Sequence, residues 1–298
     1  MENEKKEIDK DLMKLIQNRF SRLSKGQKLI AEYILNNYDK AAFMTAAKLG
    51  GAVGVSESTV VRFANELNFS GYPKLQKALQ ELIKNKLTTV QRLELSNDFV
   101  SDGDALKGVL KADMENIRAT LEKINSYTFE DVVNSIYKAK KIYIIGLRSS
   151  TALAEFLGFY LNIILQNVRI VSYGISDIFE QVINISEGDL VIGIGFPRYA
   201  TKTIDILDFA KSRGAEVVAL TDSLLSPLAA KADYTLIAQS NMASFVDSLV
   251  APLSVINALI IAIGMREKNN ISDTFNNLET IWKEYNVYSY NNKNVSDD

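Results

Sequence analysis

From Leu23 to about residue 85, hydrophobic positions recur at intervals of three and four, the period of helices that each bury one face. Ser24 is placed to cap a helix carrying Leu29, Ile30, Tyr33, Ile34 and Leu35. Ala42–Ala52 reads as a second, alanine-rich helix, with Ala46, Leu49 and Val53 on one stripe. Gly54-Val55-Ser56 makes a tight turn ending on a good cap residue. Glu57–Leu67 is then a third helix, with Val60, Ala64 and Leu67 aligned. Asn68 suits a left-handed helix terminus, and Gly71 punctuates before the helix that carries Lys74 and Lys77.

The periodicity lapses over 84–103, where Ser96, Asn97 and Ser101-Asp102-Gly103 act as breakers, and this stretch reads as a linker. It returns over Asp104–Ile124, with Leu106, Leu110, Met114, Ile117 and Leu121 in register for a helix leading into a second domain. Five short apolar runs follow, at 141–145, 168–173, 190–194, 216–220 and 234–237. Helical segments at 150–165, 176–184 and 201–213, and a shorter turn at 226–231, separate most of them. Apolar strands alternating with helices predict a five-stranded parallel sheet covered on both faces. Right-handed crossovers make it an α/β doubly wound three-layer domain. The expected division is an all-α helix-turn-helix bundle over 10–86, a linker and lead-in helix over 87–124, the doubly wound domain over 125–268, and a C-terminal helix and tail over 269–298.

Composition narrows the chemistry. The 298 residues contain no Cys and no His, which excludes disulfides, Cys- or His-based metal sites and Cys nucleophiles. No metal or cofactor is expected. Acid–base catalysis would rest on shifted Asp, Glu, Lys or Tyr, since the side chain that titrates near neutrality is missing. The first residues, MENEKKEIDKDL, are charged and unlike a secretory signal. The apolar stretch 151–165 contains Glu155, and 249–265 contains Pro252, Ser254 and Asn257. Both fall short of the roughly 20 apolar residues of a membrane span and read as buried helices. A cytoplasmic protein without membrane contact is expected.

Charge separates the two halves. Residues 12–92 hold 13 Lys/Arg against 5 Asp/Glu, whereas residues 93–298 hold 18 against 26. A basic module beside an acidic one is the pattern of a chain in which only the first part meets a polyanion. Within that basic part, two short helices joined by a glycine-containing turn have the shape of a DNA-binding helix-turn-helix. The candidate DNA contacts are Ser56, Ser58, Thr59 and Arg62, at and after the turn, with Lys74 and Lys77 placed for the phosphate backbone. Arg62 has an alternative partner in Glu66, four residues on. The run from Thr45 to Phe63, TAAKLGGAVGVSESTVVRF, continuing to Leu67-Asn-Phe-Ser-Gly-Tyr-Pro73, resembles the N-terminal domain of MurR/RpiR-type regulators. Asn68 stands where that family usually has Gly.

In the acidic half, two strand-to-helix turns carry the candidate chemistry. The first strand runs into Gly146-Leu147-Arg148-Ser149-Ser150, and the third into Gly195-Phe196-Pro197-Arg198-Tyr199-Ala200-Thr201. Backbone amides, hydroxyls and a helix N-terminus favour an anion at such a turn, and arginine suits phosphate. Gly146, Arg148, Ser149, Ser150, Arg198, Tyr199 and Thr201 are therefore the candidate ligand-binding residues. This half resembles the sugar isomerase (SIS) family from about 125 to 265, through the first turn and through Thr221-Asp222, Ser226-Pro227-Leu228-Ala229 and Ala232-Asp233. It departs from the family pattern at Arg148, which replaces a glycine, and at Ala200, which lacks a hydroxyl. The resemblance implies a transcription regulator that binds a double-stranded DNA operator, senses a phosphorylated sugar, and works as a homodimer or homotetramer. It implies no catalysis and no catalytic residues. Two alternatives stand beside it: a phosphosugar isomerase or lyase with an appended DNA-binding domain, and a sugar-isomerase-type domain that serves only for dimerisation.

Overall fold

The computed structural model describes residues 12–83 apart from Lys14, residues 88–90, Arg92, residues 105–242 apart from Ile175, and residues 245–288. The breakers Ser96, Asn97 and Ser101–Gly103 of the expected linker lie outside the described residues.

The head contains α1 (Lys25–Asn36), α2 (Tyr38–Ala41), α3 (Ala46–Val53), α4 (Glu57–Glu66) and α5 (Tyr72–Ile83). Ser24 opens α1 with a reciprocal cap. Its hydroxyl accepts from the Gln27 amide at 3.4 Å, and the Gln27 side chain accepts from the Ser24 amide at 2.9 Å. The alanine-rich helix begins four residues later than the pattern predicts. Thr45 is extended and its hydroxyl accepts from the Lys48 amide at 3.2 Å, so Thr45 caps α3 rather than lying within it. Asn68 adopts the left-handed backbone expected of it, with φ +68°.

Ile30, Ile34, Leu49, Val60, Phe63, Leu75 and Leu79 form the head's buried core. Each contributes about 1.5–3 kcal/mol by leaving water. Tyr72 ties α5 to the α2–α3 turn, its hydroxyl donating to the carbonyls of Met44 at 2.7 Å and Ala41 at 3.3 Å. Burial pushes its phenol well above the ordinary tyrosine range.

The second body begins with α6 (Ala105–Lys123) and α7 (Ser126–Lys138). It continues through β1 (Ile142–Gly146), α8 (Thr151–Leu165), β2 (Val168–Val171), α9 (Ile178–Val182), β3 (Leu190–Ile194), α10 (Thr201–Ser212), β4 (Glu216–Thr221) and β5 (Tyr234–Ile237). It closes with α11 (Val250–Arg266) and α12 (Lys268–Glu284). The five strands are parallel, in the order β2-β1-β3-β4-β5. Alternate residues of each strand serve opposite layers: Ile142 and Ile144 join the core under α7, α8 and α11, while Tyr143 and Ile145 join the core under α9 and α10. The helix expected over 176–184 is shorter, because Asp177 caps α9 together with Glu180.

The apolar stripe of α6 faces the other way from a core stripe. Leu106, Leu110, Met114, Ile117 and Leu121 are exposed, and Asn116 and Thr120 are buried instead. Hydrogen bonds decide this orientation. Asn116 exchanges two with the Asn241 backbone, at 2.9 and 3.1 Å, and the Thr120 hydroxyl accepts from the Gln239 amide at 2.8 Å. The apolar segments 151–165 and 249–265 form α8 and α11, which pack on each other and on the sheet. Among the described residues no single helix is long and apolar enough to cross a membrane. Trp282 makes an edge-to-face contact with Tyr288, 5.2 Å between ring centroids.

Gly50 lies where α3 meets the turn that follows it. A β-carbon there would stand 2.7 Å from the Val55 carbonyl oxygen, whereas one on its neighbour Gly51 would meet nothing within 4 Å. Gly50→Ala should therefore destabilise the head by roughly 1–3 kcal/mol through overpacking. Gly51→Ala should stabilise it by roughly 0.5–1 kcal/mol through helix propensity. Calorimetric melting of the two variants in the full chain checks the opposite signs.

Candidate functional site

Two surfaces carry the candidate chemistry. On the head, α3 and α4 pack together around the turn Gly54-Val55-Ser56, with Gly54 in the left-handed region at φ +75°. Val60, Phe63 and Ala64 bury one side of α4. The opposite side presents Ser58, Val61, Arg62 and Asn65 to solvent. The hydroxyl of Ser56 shares hydrogen bonds with those of Ser58 and Thr59, both at 2.9 Å. Arg62 turns back along α4 rather than forward to Glu66. Its Nε donates to the Ser58 carbonyl at 3.3 Å and its Nη2 to the Ser58 hydroxyl at 3.4 Å. The structure thus draws Ser56, Ser58, Thr59 and Arg62 into one exposed polar cluster at the N-terminal half of α4. Lys74 and Lys77 are exposed on α5. Asn65 shares the outer face with Arg62. Sequence spacing alone could have found it, since it lies three residues beyond Arg62.

The second surface is a cavity of about 190 Å³ at the carboxyl ends of β1 and β3. These strands are neighbours, and Gly146 pairs with Ile194 at the last register position. The chain leaves β1 into α8 and β3 into α10, which cover opposite faces of the sheet, so the two turns flank a crevice at the topological switch point. A single water needs roughly 10–15 Å³ of such space, so a cavity of this size fits a polyatomic ligand.

Arg148, Ser149, Ser150 and Arg198 line the cavity, as their positions in the two turns predict. Gly146, Tyr199 and Thr201 do not line it. Gly146 acts through its missing side chain: a β-carbon would stand 2.6 Å from the Ser150 carbonyl oxygen, so only glycine lets the turn fold back on itself. Tyr199 points to the neighbouring loop, where its hydroxyl donates to Asp222 Oδ1 at 2.6 Å and fixes the second turn. Thr201 is exposed at the start of α10. Thr203, in the first turn of α10, also lines the cavity, and sequence reasoning passed over it. Thr203 is 1% exposed, and its Oγ1 has no hydrogen-bond partner. Ser150 is also buried in the wall and makes no side-chain cap to α8.

Arg148 and Arg198 occupy equivalent places in the two turns and share an unusual backbone, with φ of +59° and +66°. A left-handed backbone costs a residue with a β-carbon roughly 1–2 kcal/mol. Strain of this kind concentrates at functional sites. By contrast, the stretch from Thr221 to Asp233 mainly holds the fold. The Ser226 hydroxyl accepts from the Ala229 amide at 3.1 Å, and Asp233 accepts from the Val217 amide at 2.9 Å and from Lys211. Sequence reasoning also missed Arg92, Phe245 and Asp247 in the cavity wall. They come from the connector and from the loop between β5 and α11, which carry no motif. Asp247 is the carboxylate among the residues lining the cavity, and it accepts from Arg92 at 2.8 Å.

Fold and sites together define a helix-turn-helix head joined to a doubly wound domain with an anion-suited cavity. Residues 10–86 match the helix-turn-helix domain of the rpiR family, and residues 135–262 match the SIS domain. The sugar isomerase domain of an RpiR transcription factor from Sphaerobacter thermophilus is 30% identical, with a TM-score of 0.57, over 59% of this chain and 99% of that one. The transcriptional regulator HexR of Escherichia coli is 27% identical over 92% of this chain and 95% of its own length. The Vibrio vulnificus NanR protein, solved in complex with ManNAc-6P, shares the fold over 92% of this chain and 98% of its own, at 20% identity and a TM-score of 0.55. The chain belongs to the RpiR family of helix-turn-helix transcriptional regulators.

Thr203 gives a test of the cavity. A buried hydroxyl without a partner costs about 1–3 kcal/mol, so Thr203→Val should leave the melting temperature of the unliganded protein unchanged or raise it. The same variant should bind inorganic phosphate more weakly than the wild type. Calorimetric melting and phosphate titration check the two halves.

Proposed function

We propose that this protein regulates transcription by binding an operator through α4 and sensing a phosphorylated sugar, or a related phosphorylated metabolite, in the cavity between the β1 and β3 turns. The observation that carries the sensing half is the convergence of Arg148, Arg198, buried Ser150 and the unpartnered Thr203 hydroxyl on one crevice. A phosphate there meets guanidinium forks, hydroxyls and the N-terminus of α8. ManNAc-6P in the NanR complex is a phosphorylated amino sugar, which agrees with this ligand class.

On DNA, Ser58, Thr59 and Arg62 would enter the major groove, with Ser56, Lys74 and Lys77 toward phosphates. The domains are assigned as 10–86, 87–124, 125–268 and 269–298. We assign the chain to a homodimer, with the exposed apolar stripe of α6 covered by a second copy. Two heads would then read half-sites about 34–36 Å apart. Such a role places the protein in the cytoplasm, with the chromosome.

The isomerase reading would require an acid–base residue at the cavity. Glu155, the carboxylate nearest the first turn in sequence, is exposed on α8, and Asp247 is engaged by Arg92. We therefore read the protein as a non-enzyme. Incubation with hexose and pentose phosphates should give no aldose–ketose interconversion, and measurable turnover would reverse the assignment.

Two sets of variants separate the functions. Arg62→Ala should weaken binding to a duplex selected from random-sequence DNA by severalfold or more, with the fold intact. Lys74→Ala should lower the salt dependence of that binding by about one unit of log–log slope. Ser150→Ala combined with Arg198→Ala should abolish the thermal shift given by a panel of sugar phosphates while DNA affinity is retained. Fluorescence anisotropy and thermal melting read these outcomes.

A further inference from the structure

The connector contributes to the cavity. Thr89, Val90 and Arg92 are helical, the Arg92 amide donating to the Thr88 carbonyl at 3.0 Å. Two of these side chains engage the cavity. Arg198 Nη1 donates to the Thr89 hydroxyl at 2.8 Å, and Arg92 Nη1 donates to Asp247 Oδ1 at 2.8 Å. Arg92 is only 2% exposed and stands in the wall with Arg148, Arg198, Ser150 and Thr203.

We propose that Arg92 is a ligand-contacting residue, so that the effector phosphate is held jointly by the doubly wound domain and by the connector from the DNA-reading head. This rests on the reading of the cavity as a phosphosugar site. The argument is electrostatic. A buried Arg–carboxylate pair recovers little stability by itself, because removing both charges from water offsets their attraction. As a structural clamp alone, an apolar contact would serve the connector as well. A guanidinium in an anion cavity is different. The wall carries three arginines and one carboxylate, so the cavity has an excess of positive charge that a phosphate dianion matches. Asp247 balances Arg92 in the unliganded protein and orients it. A guanidinium has five N–H donors, so pairing with Asp247 and contact with phosphate are compatible.

The connector's docking and ligand binding are then linked. If phosphate binds more tightly when Arg92 is in the wall, it must by reciprocity hold Arg92 there. The neighbouring loop gives this coupling a physical route. Asp247 lies in the same β5–α11 loop as Met242, which packs against the core of the head, and the loop's start is fixed to α6 through Asn116 and Asn241.

The test uses the full chain with inorganic phosphate as probe. Titration calorimetry should show that Arg92→Gln weakens phosphate binding at least tenfold relative to wild type, and that Arg92→Lys restores part of the loss. Trypsin supplies a second readout that needs no variant, because it cleaves after Arg92 itself and requires that side chain in its own specificity pocket. Saturating phosphate should slow cleavage after Arg92 at least fivefold and leave cleavage after exposed Arg213 unchanged. If wild type binds phosphate but Arg92→Gln binds it equally well, or if cleavage after Arg92 ignores phosphate, the proposal fails while the sensor reading survives. If wild type binds no phosphate, the sensor reading fails and this inference with it.

Discussion

The parallel pairing of β1 with β3 is the constraint on which the proposed sensing site depends. The Gly146–Ile194 register brings two strand-to-helix turns, some 50 residues apart in sequence, to opposite sides of one crevice. Side by side they bring two arginines and two buried hydroxyls to bear on one volume. The left-handed backbone of both arginines follows from the same demand, since each turn must reverse sharply between a buried strand and a helix. Only the surrounding fold over-determines that conformation.

The head obeys a simpler rule. Its helices bury one face each, and the outer face of α4 is left to polar residues that organise one another. The proposed partners, one polyanion and one small anion, call for opposite placements of positive charge. The head exposes its cations over a surface, where they act at long range and respond to salt. The cavity gathers its cations, buried Arg92 with exposed Arg148 and Arg198, around one volume.

Much of this was legible in the sequence. Periodicity gave the head's helices and the five strands, and the hydroxyl- and arginine-bearing turns marked the ends of β1 and β3. Three features of the structure have physical causes that the pattern does not carry. The pattern starts the second helix too early because alanine is a strong helix former wherever it stands, and the Thr45 cap decides the boundary. The lead-in helix is present as α6, and hydrogen bonds through Asn116 and Thr120 turn its apolar stripe outward. Thr201 opens α10, and it is Thr203, two residues on, that lines the cavity. Arg92 and Asp247 were out of reach of any local pattern. They meet across 155 residues, and only the folded chain brings them together.

A crystal structure of the full protein soaked with a hexose 6-phosphate is the most direct test of the whole account. The phosphate oxygens should accept hydrogen bonds from the Ser150 and Thr203 hydroxyls, between the guanidinium groups of Arg148 and Arg198. Phosphate density at any other place on the chain, with this crevice left to solvent, would contradict it.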